Sequence, residues 1–171
     1  MNLLSLRDTN RAMNNPLDIT FWVPGHPKAQ GSMRAFVNPK TNKVIMPQDK
    51  KVLSWRGVIS TYAMQAMVKY PMSLKPVFLE LTVCLSRPKA HCYSGKRLGQ
   101  IRETAPKYPA AHNTGDIEKH IRSVNDALQG VVFKDDCQVV AAVGYKVYHS
   151  QEGVIIHVTE KPFAFLREPM K

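Results

Sequence analysis

Acidic residues are the scarcest charge in this chain: 13 Asp and Glu stand against 24 Lys and Arg in 171 residues, for a formal net charge of +11 and a pI of about 9.7. Such an imbalance argues for a polyanionic partner, because Lys and Arg neutralise phosphates and release their counterions. Cysteine is nearly absent as well. Cys84, Cys92 and Cys137 are odd in number and have no paired spacing. That excludes a disulfide framework and predicts free thiols in a reducing cytoplasm. A zinc site built from Cys92 and Cys137 with His91 or His112 would lack the CxxC or HxxxH spacing that such sites use. No apolar run approaches the roughly 18–20 residues of a membrane span. Residues 1–16 carry Arg7 and Arg11 but no apolar h-region, so they are expected to form a loosely ordered tail and not a secretory signal. Repeats and low-complexity tracts are missing too. An apolar content of 44% is that of an ordinary globular chain, long enough for one domain and short for two.

The few acids are unevenly placed. Five of the 13 lie between Asp116 and Asp136, namely Asp116, Glu118, Asp126, Asp135 and Asp136, with only Lys119, Arg122 and Lys134 beside them. The rest of the chain holds 21 Lys and Arg against 8 Asp and Glu. A carboxylate island in a cationic protein fits an enzyme that draws in a polyanion and holds a hard cation at the point of attack. Phosphodiester cleavage has that requirement.

Elements follow from pattern. Ile19 to Pro24 reads as a strand ending at a Pro24-Gly25 turn, and Met33–Val37 with Val44–Met46 reads as a hairpin. Asp49 or Gln48 caps a helix running to about Lys69, with Val52, Leu53, Val58, Ile59, Ala63, Ala66 and Met67 supplying apolar faces. Val77 to Leu85 is a strand. Residues 87–112 hold six Lys and Arg against Glu103 alone, three prolines, two glycines and interleaved His91, Tyr93, Tyr108 and His112. As a DNA-contacting arm this loop would combine phosphate neutralisation with stacking, and as a solvated insertion it would do neither. A second helix spans about Ile117 to Leu128. Val139–Tyr148 and Gly153–Thr159 are strands expected to form a hairpin through His149–Glu152. The order predicts a single α+β domain with a mixed β-sheet and two main helices.

On the second helix, Ile117, Ile121, Val124 and Leu128 form one stripe, which is the expected core face. Asp126 points away from it, and His120 flanks it as a partly buried packing residue. Gly115 favours a break, so Asp116 is expected at or just before the N-cap, where it and Glu118 can converge on one cation at the positive end of the helix dipole. The same residues also suit an ordinary capped helix with i,i+4 pairs Glu118–Arg122 and Arg122–Asp126, and Asp135-Asp136 suits a turn.

The segments Gly115-Asp116-Ile117-Glu118-Lys119-His120-Ile121-Arg122, Asn125-Asp126-Ala127-Leu128-Gln129-Gly130-Val131-Val132 and Lys134-Asp135-Asp136-Cys137-Gln138-Val139 resemble the signature of the RusA family of Holliday junction resolvases. Val23-Pro24-Gly25-x-Pro27, Gly31-x-x-Arg34 and Arg87-Pro88-Lys89-x-His91 are similar to segments of its phage-type members. The resemblance covers most of residues 19–159 and implies a RusA-like endonuclease domain over 18–161, with the basic loop 87–112 inside it. Residues 1–17 and 162–171 are then tails.

What the resemblance implies is a homodimeric endonuclease, dependent on Mg²⁺ with Mn²⁺ as a substitute, that nicks four-way junctions in the cytoplasm of a bacterial or phage-infected cell. It puts the metal on Asp116, Glu118 and Asp136, makes Arg122 the essential basic residue, and leaves Asp135 either to shape the turn or to support a metal ligand from behind. Arg34, Lys89, Lys96, Arg97 and Lys119 are candidate DNA contacts. Two positions depart from the family pattern. Glu118 replaces Asp and reaches one methylene further, whereas Mg²⁺ wants near-octahedral geometry. Arg122 replaces Lys, which keeps the charge but cannot give up a proton, so its expected role is to stabilise phosphate charge. Rival readings are a nuclease for other branched or duplex DNA and a junction-binding protein whose catalysis has decayed.

Overall fold

Alternation of apolar residues decides the centre of the molecule. In strand β4 (Val77–Leu85), Val77, Leu79, Leu81, Val83 and Leu85 are all buried, and their neighbours Phe78, Glu80 and Thr82 are partly exposed. The computed structural model describes residues 16–31, 35–45 and 49–163. Besides β4 its strands are β1 (Asp18–Pro24), the short pair β2 (Phe36–Val37) and β3 (Val44–Ile45), β5 (Val139–Tyr148) and β6 (Gly153–Thr159). Two main helices, α1 (Lys50–Ala66) and α2 (Ile117–Leu128), complete one α+β domain.

The main sheet has the order β1-β6-β4-β5 and is mixed: β6 is antiparallel to both β1 and β4, while β4 and β5 are parallel. The expected β5–β6 hairpin does not form, because β4 lies between the two strands. Residues 149–152 instead cross over the end of β4, a step four residues can span at roughly 3.3 Å each. The crossing is pinned from both sides. His149 N donates to Leu85 O at 2.9 Å, Glu152 Oε1 accepts from Ser86 N at 3.3 Å, and Glu152 O accepts from Gly25 N at 3.0 Å.

Asp49 caps α1 as expected, its carboxylate accepting from Lys51 N. The buried face of α1 is Val52, Trp55, Ile59 and Ala63, continued by Met67; Leu53 and Val58, expected on apolar faces, are 43% and 36% exposed. Trp55 takes their place because it completes the i, i+3, i+4 spacing on the sheet side. The two helices are joined by an Arg56–Asp126 ion pair and by Ser60 Oγ donating to Ala127 O at 2.7 Å. Asp126 therefore does point away from the sheet, into a contact with α1. Between α2 and β5, Val132 and Phe133 are fully buried; a phenyl ring so placed contributes about 2–3 kcal/mol and anchors that connection in the core. Leu17, assigned to the tail by sequence, is also buried, and its carbonyl accepts from Glu160 N.

Candidate active site

Helix α2 begins where the sequence predicts. Asp116 is its N-cap, with extended φ −80° and ψ 140°, and Glu118 follows in the first turn. The turn before it depends on Gly115, whose φ of 72° and ψ of 159° belong to a region that residues with a side chain avoid. A Cβ there would stand 2.8 Å from Ala29 Cβ and 3.0 Å from His120 Nε2. His120 is buried, not merely flanking the core, and its Nε2 donates to Thr114 O at 2.9 Å. Burial pushes its pKa below that of a free imidazole and keeps it neutral, a state that suits this hydrogen bond.

From the other side comes Lys146 of β5, the only charged residue in that strand. Its ammonium donates to Thr114 Oγ1 at 2.9 Å and to Gly115 O at 2.8 Å. Gly144, two residues earlier on the same face, lets α2 approach: a Cβ would lie 2.6 Å from Ile117 Cγ1 and 3.0 Å from Ile121 Cδ1. Ile117 and Ile121 are accordingly half-buried against β5, while Val124, Ala127 and Leu128 reach the core. The Gly144–Lys146 pair was not singled out from sequence. Its signal is a lone lysine in an otherwise uncharged strand, two residues after a glycine.

Asp116 is exposed and does not accept a capping hydrogen bond; its carboxylate binds Lys119 Nζ at 2.6 Å. That contact holds the Asp116 carboxyl below the usual carboxylate range, with smaller contributions from His112 and Lys146. Lys119 in turn is raised, by Asp116 first and also by Glu118. The two carboxylates thus act on a common positive charge. Among the described residues Glu118 and Arg122 have no ion-pair partner, and both are exposed. The i,i+4 pairs that an ordinary capped helix would use are not formed.

Asp136 lies elsewhere. Asp135 caps a single 3₁₀ turn, Asp136–Gln138, through a capping box, and the Cys137 backbone N–H lowers its pKa. Asp135 therefore shapes the turn, one of its two expected roles, and Asp136 is exposed beside it, three residues before β5 begins. Since α2 and β5 run in opposite directions, Asp116 sits at the Lys146 end of β5 and Asp136 beyond its Val139 end. The 12 residues of α2 alone separate these ends by about 18 Å. Among the described residues no group of three or more His, Cys, Asp or Glu is arranged to hold a metal ion. The Asp116–Glu118 pair nonetheless suits Mg²⁺, which typically takes one or two carboxylates and fills its octahedron with water and substrate phosphate.

Of the candidate DNA contacts, Lys89, Lys96 and Arg97 in the loop are exposed cations, and Lys119 at the helix is half-buried. The 87–112 segment is built from short 3₁₀ turns and a Cys92–Ile101 bridge. Tyr93 organises it, with Arg97 3.5 Å over its ring, Arg102 at 5.3 Å and its hydroxyl bound to Glu103. Arg34 lies outside the described residues. No helix among them is long and apolar enough to cross a membrane.

A family profile described as "Endodeoxyribonuclease RusA" matches residues 24–159. An uncharacterized protein of Bacillus subtilis (strain 168), YqaN, is 29% identical over 143 residues, covering 83% of this chain and 96% of its own length.

Proposed function

The chain belongs to the RusA endodeoxyribonuclease family, and from that membership we propose that it is a homodimeric, magnesium-dependent enzyme that resolves four-way DNA junctions by paired nicks. The observation that carries this reading is the held pair of carboxylates at the N-terminus of α2, set in a chain of net charge +11. Asp116 and Glu118 would hold Mg²⁺, with Mn²⁺ as a substitute, and Asp136 would complete the set. When bound, the metal supplies charge neutralisation at the scissile phosphate and activation of water.

The chain's own residues have separable tasks. Lys146, Thr114 and buried His120 fix the turn that aims Asp116. Lys119 neutralises Asp116 in the free protein and is available to phosphate when the metal takes its place. Arg122, one turn after Glu118 and unpaired, offsets charge on the phosphate as bond order changes; a guanidinium keeps that charge at any working pH. The exposed Lys89, Lys96 and Arg97 hold backbone phosphates without reading sequence.

Asp116 and Asp136 stand at opposite ends of α2, so a three-carboxylate site needs Asp136 from a second copy. A symmetric dimer then carries two such sites, one for each strand to be cut. Free Cys84, Cys92 and Cys137 suit the reducing cytoplasm of a bacterial or phage-infected cell. The test is Mg²⁺-dependent nicking of a labelled four-way junction beside a matched duplex. Symmetric nicks confined to the junction, abolished by Asp116→Asn with binding retained, are expected. Equal cutting of duplex, or turnover by Asp116→Asn, would refute the reading.

A further inference from the structure

An open cleft of about 610 Å³ lies at the carboxyl ends of the parallel strands β4 and β5, lined by Ser86, Arg87, Cys92, Tyr148, His149 and Ser150 among others. Its size is in the range of small-ligand sites. The wall is a preassembled slab. The Arg87 guanidinium lies 4.0 Å over the Tyr148 ring, His91 meets that ring edge-on at 5.8 Å, and Arg87 Nη1 is fixed by Pro106 O at 2.8 Å. Of the five N–H donors of a guanidinium, this is the one bonded among the described residues. Among the described residues no carboxylate lines the cleft. Planar cation, aromatic face and hydroxyls without a negative charge are the chemistry that receives a nucleobase and its phosphate.

Position supplies the second argument. Gly144, Lys146 and Tyr148 alternate along β5 and so share the α2 face. Lys146 holds the Thr114–Gly115 turn that carries Asp116. Tyr148 is two residues further on, about 7 Å along the strand. The cleft therefore begins one strand repeat beyond the anchor of the carboxylate pair, at the end of the sheet opposite Asp136. A nucleotide adjoining a phosphate held at Asp116 and Glu118 can reach it only if its base has left the duplex stack. Freeing a base costs least where its pairing is already weakened.

We infer that this cleft receives one unstacked nucleotide next to the cleaved phosphate, its base lying against the Arg87–Tyr148 slab, and that it thereby sets where on the junction the cut falls. The inference rests on the junction-nuclease reading and deepens it.

The test measures binding of the full-length protein in EDTA, so that it does not depend on cleavage. Four-way junctions carry a single abasic residue at each crossover-flanking position in turn. Wild type should lose about tenfold in affinity at one such position. Arg87→Met should lose about as much on the intact junction and nothing further on that abasic one. Arg87→Lys should not restore the loss, because an ammonium keeps the charge without the plane. Ser150→Tyr, a change on an exposed loop that fills the cleft, should reproduce it. Abasic substitution without effect at every position, losses that add, or full rescue by Arg87→Lys would each overturn the inference, as would equal affinity for junction and duplex. Coupled losses in a protein that fails to nick with Mg²⁺ or Mn²⁺ would sustain the cleft and sink the nuclease. Nicking without coupled losses would do the reverse.

Discussion

Gly115 is central to the site's geometry, because two constraints meet at its α-carbon. Its backbone lies in a region that costs an L-residue about 1–3 kcal/mol, and a methyl group would press on Ala29 and His120 as well. Gly115→Ala is expected to lower stability by at least that range and to cut junction cleavage by an order of magnitude or more, since the turn that presents Asp116 must shift. Denaturant melts together with nicking rates on the same preparation check it; an unchanged rate would show that Asp116 is not the working group. The sequence marked Gly115 as a break and Asp116 as the N-cap because both signals are local. It could not disclose that Lys146, 31 residues from Gly115, braces the same turn, or that Arg87 stacks on Tyr148, since residues so distant in the chain meet only through strand pairing.

At the scale of elements, Glu152 holds the crossing of β4 in place, with His26 Nδ1 at 2.7 Å from one carboxylate oxygen and Ser86 N on the other. The His26 contact, followed by that to Ser86, lowers its pKa. A depressed carboxyl stabilises the fold above its unfolded value of about 4.3, and that contribution is lost as pH falls through the folded value. Glu152→Gln should therefore melt below wild type at pH 7, by about 1 kcal/mol after allowance for partial exposure. The gap should close as pH drops below 4. Thermal melts of both proteins from pH 7 to pH 3 decide it, and a constant gap would refute the assignment. The same segment shows why some of the fold was legible and some was not. Alternation and turn residues set the bounds of β4, β5 and β6, and helical spacing set those of α2. A four-residue link reads alike whether it closes a hairpin or steps across a neighbour, so partner choice was decided by the apolar β4, which is buried best in the interior of the sheet.

For the whole molecule, the separation of Asp116 from Asp136 makes a prediction about subunits. Asp116→Asn and Asp136→Asn should each be inactive alone. Mixed and allowed to exchange, they should form heterodimers with one complete site, which nick one strand of a junction and leave the other whole. Cleavage mapping of both strands checks this; no activity in the mixture would mean that each site is built within one chain. The carboxylates themselves could be named from sequence, whereas the proposal that two copies share them rests on the antiparallel course of α2 and β5.

The order of the sheet also governs how the molecule comes into being. β6 is the last of its four strands in the chain and yet lies between β1 and β4, with Asp18 paired to Thr159. Until residues 153–159 have left the ribosome, the first strand has no neighbour in the sheet, and β4 keeps one open edge. Contacts of such long sequence separation make folding slow, and they make it a single late event. A nuclease assembled in this way cannot close its sheet until the strand made last is in place.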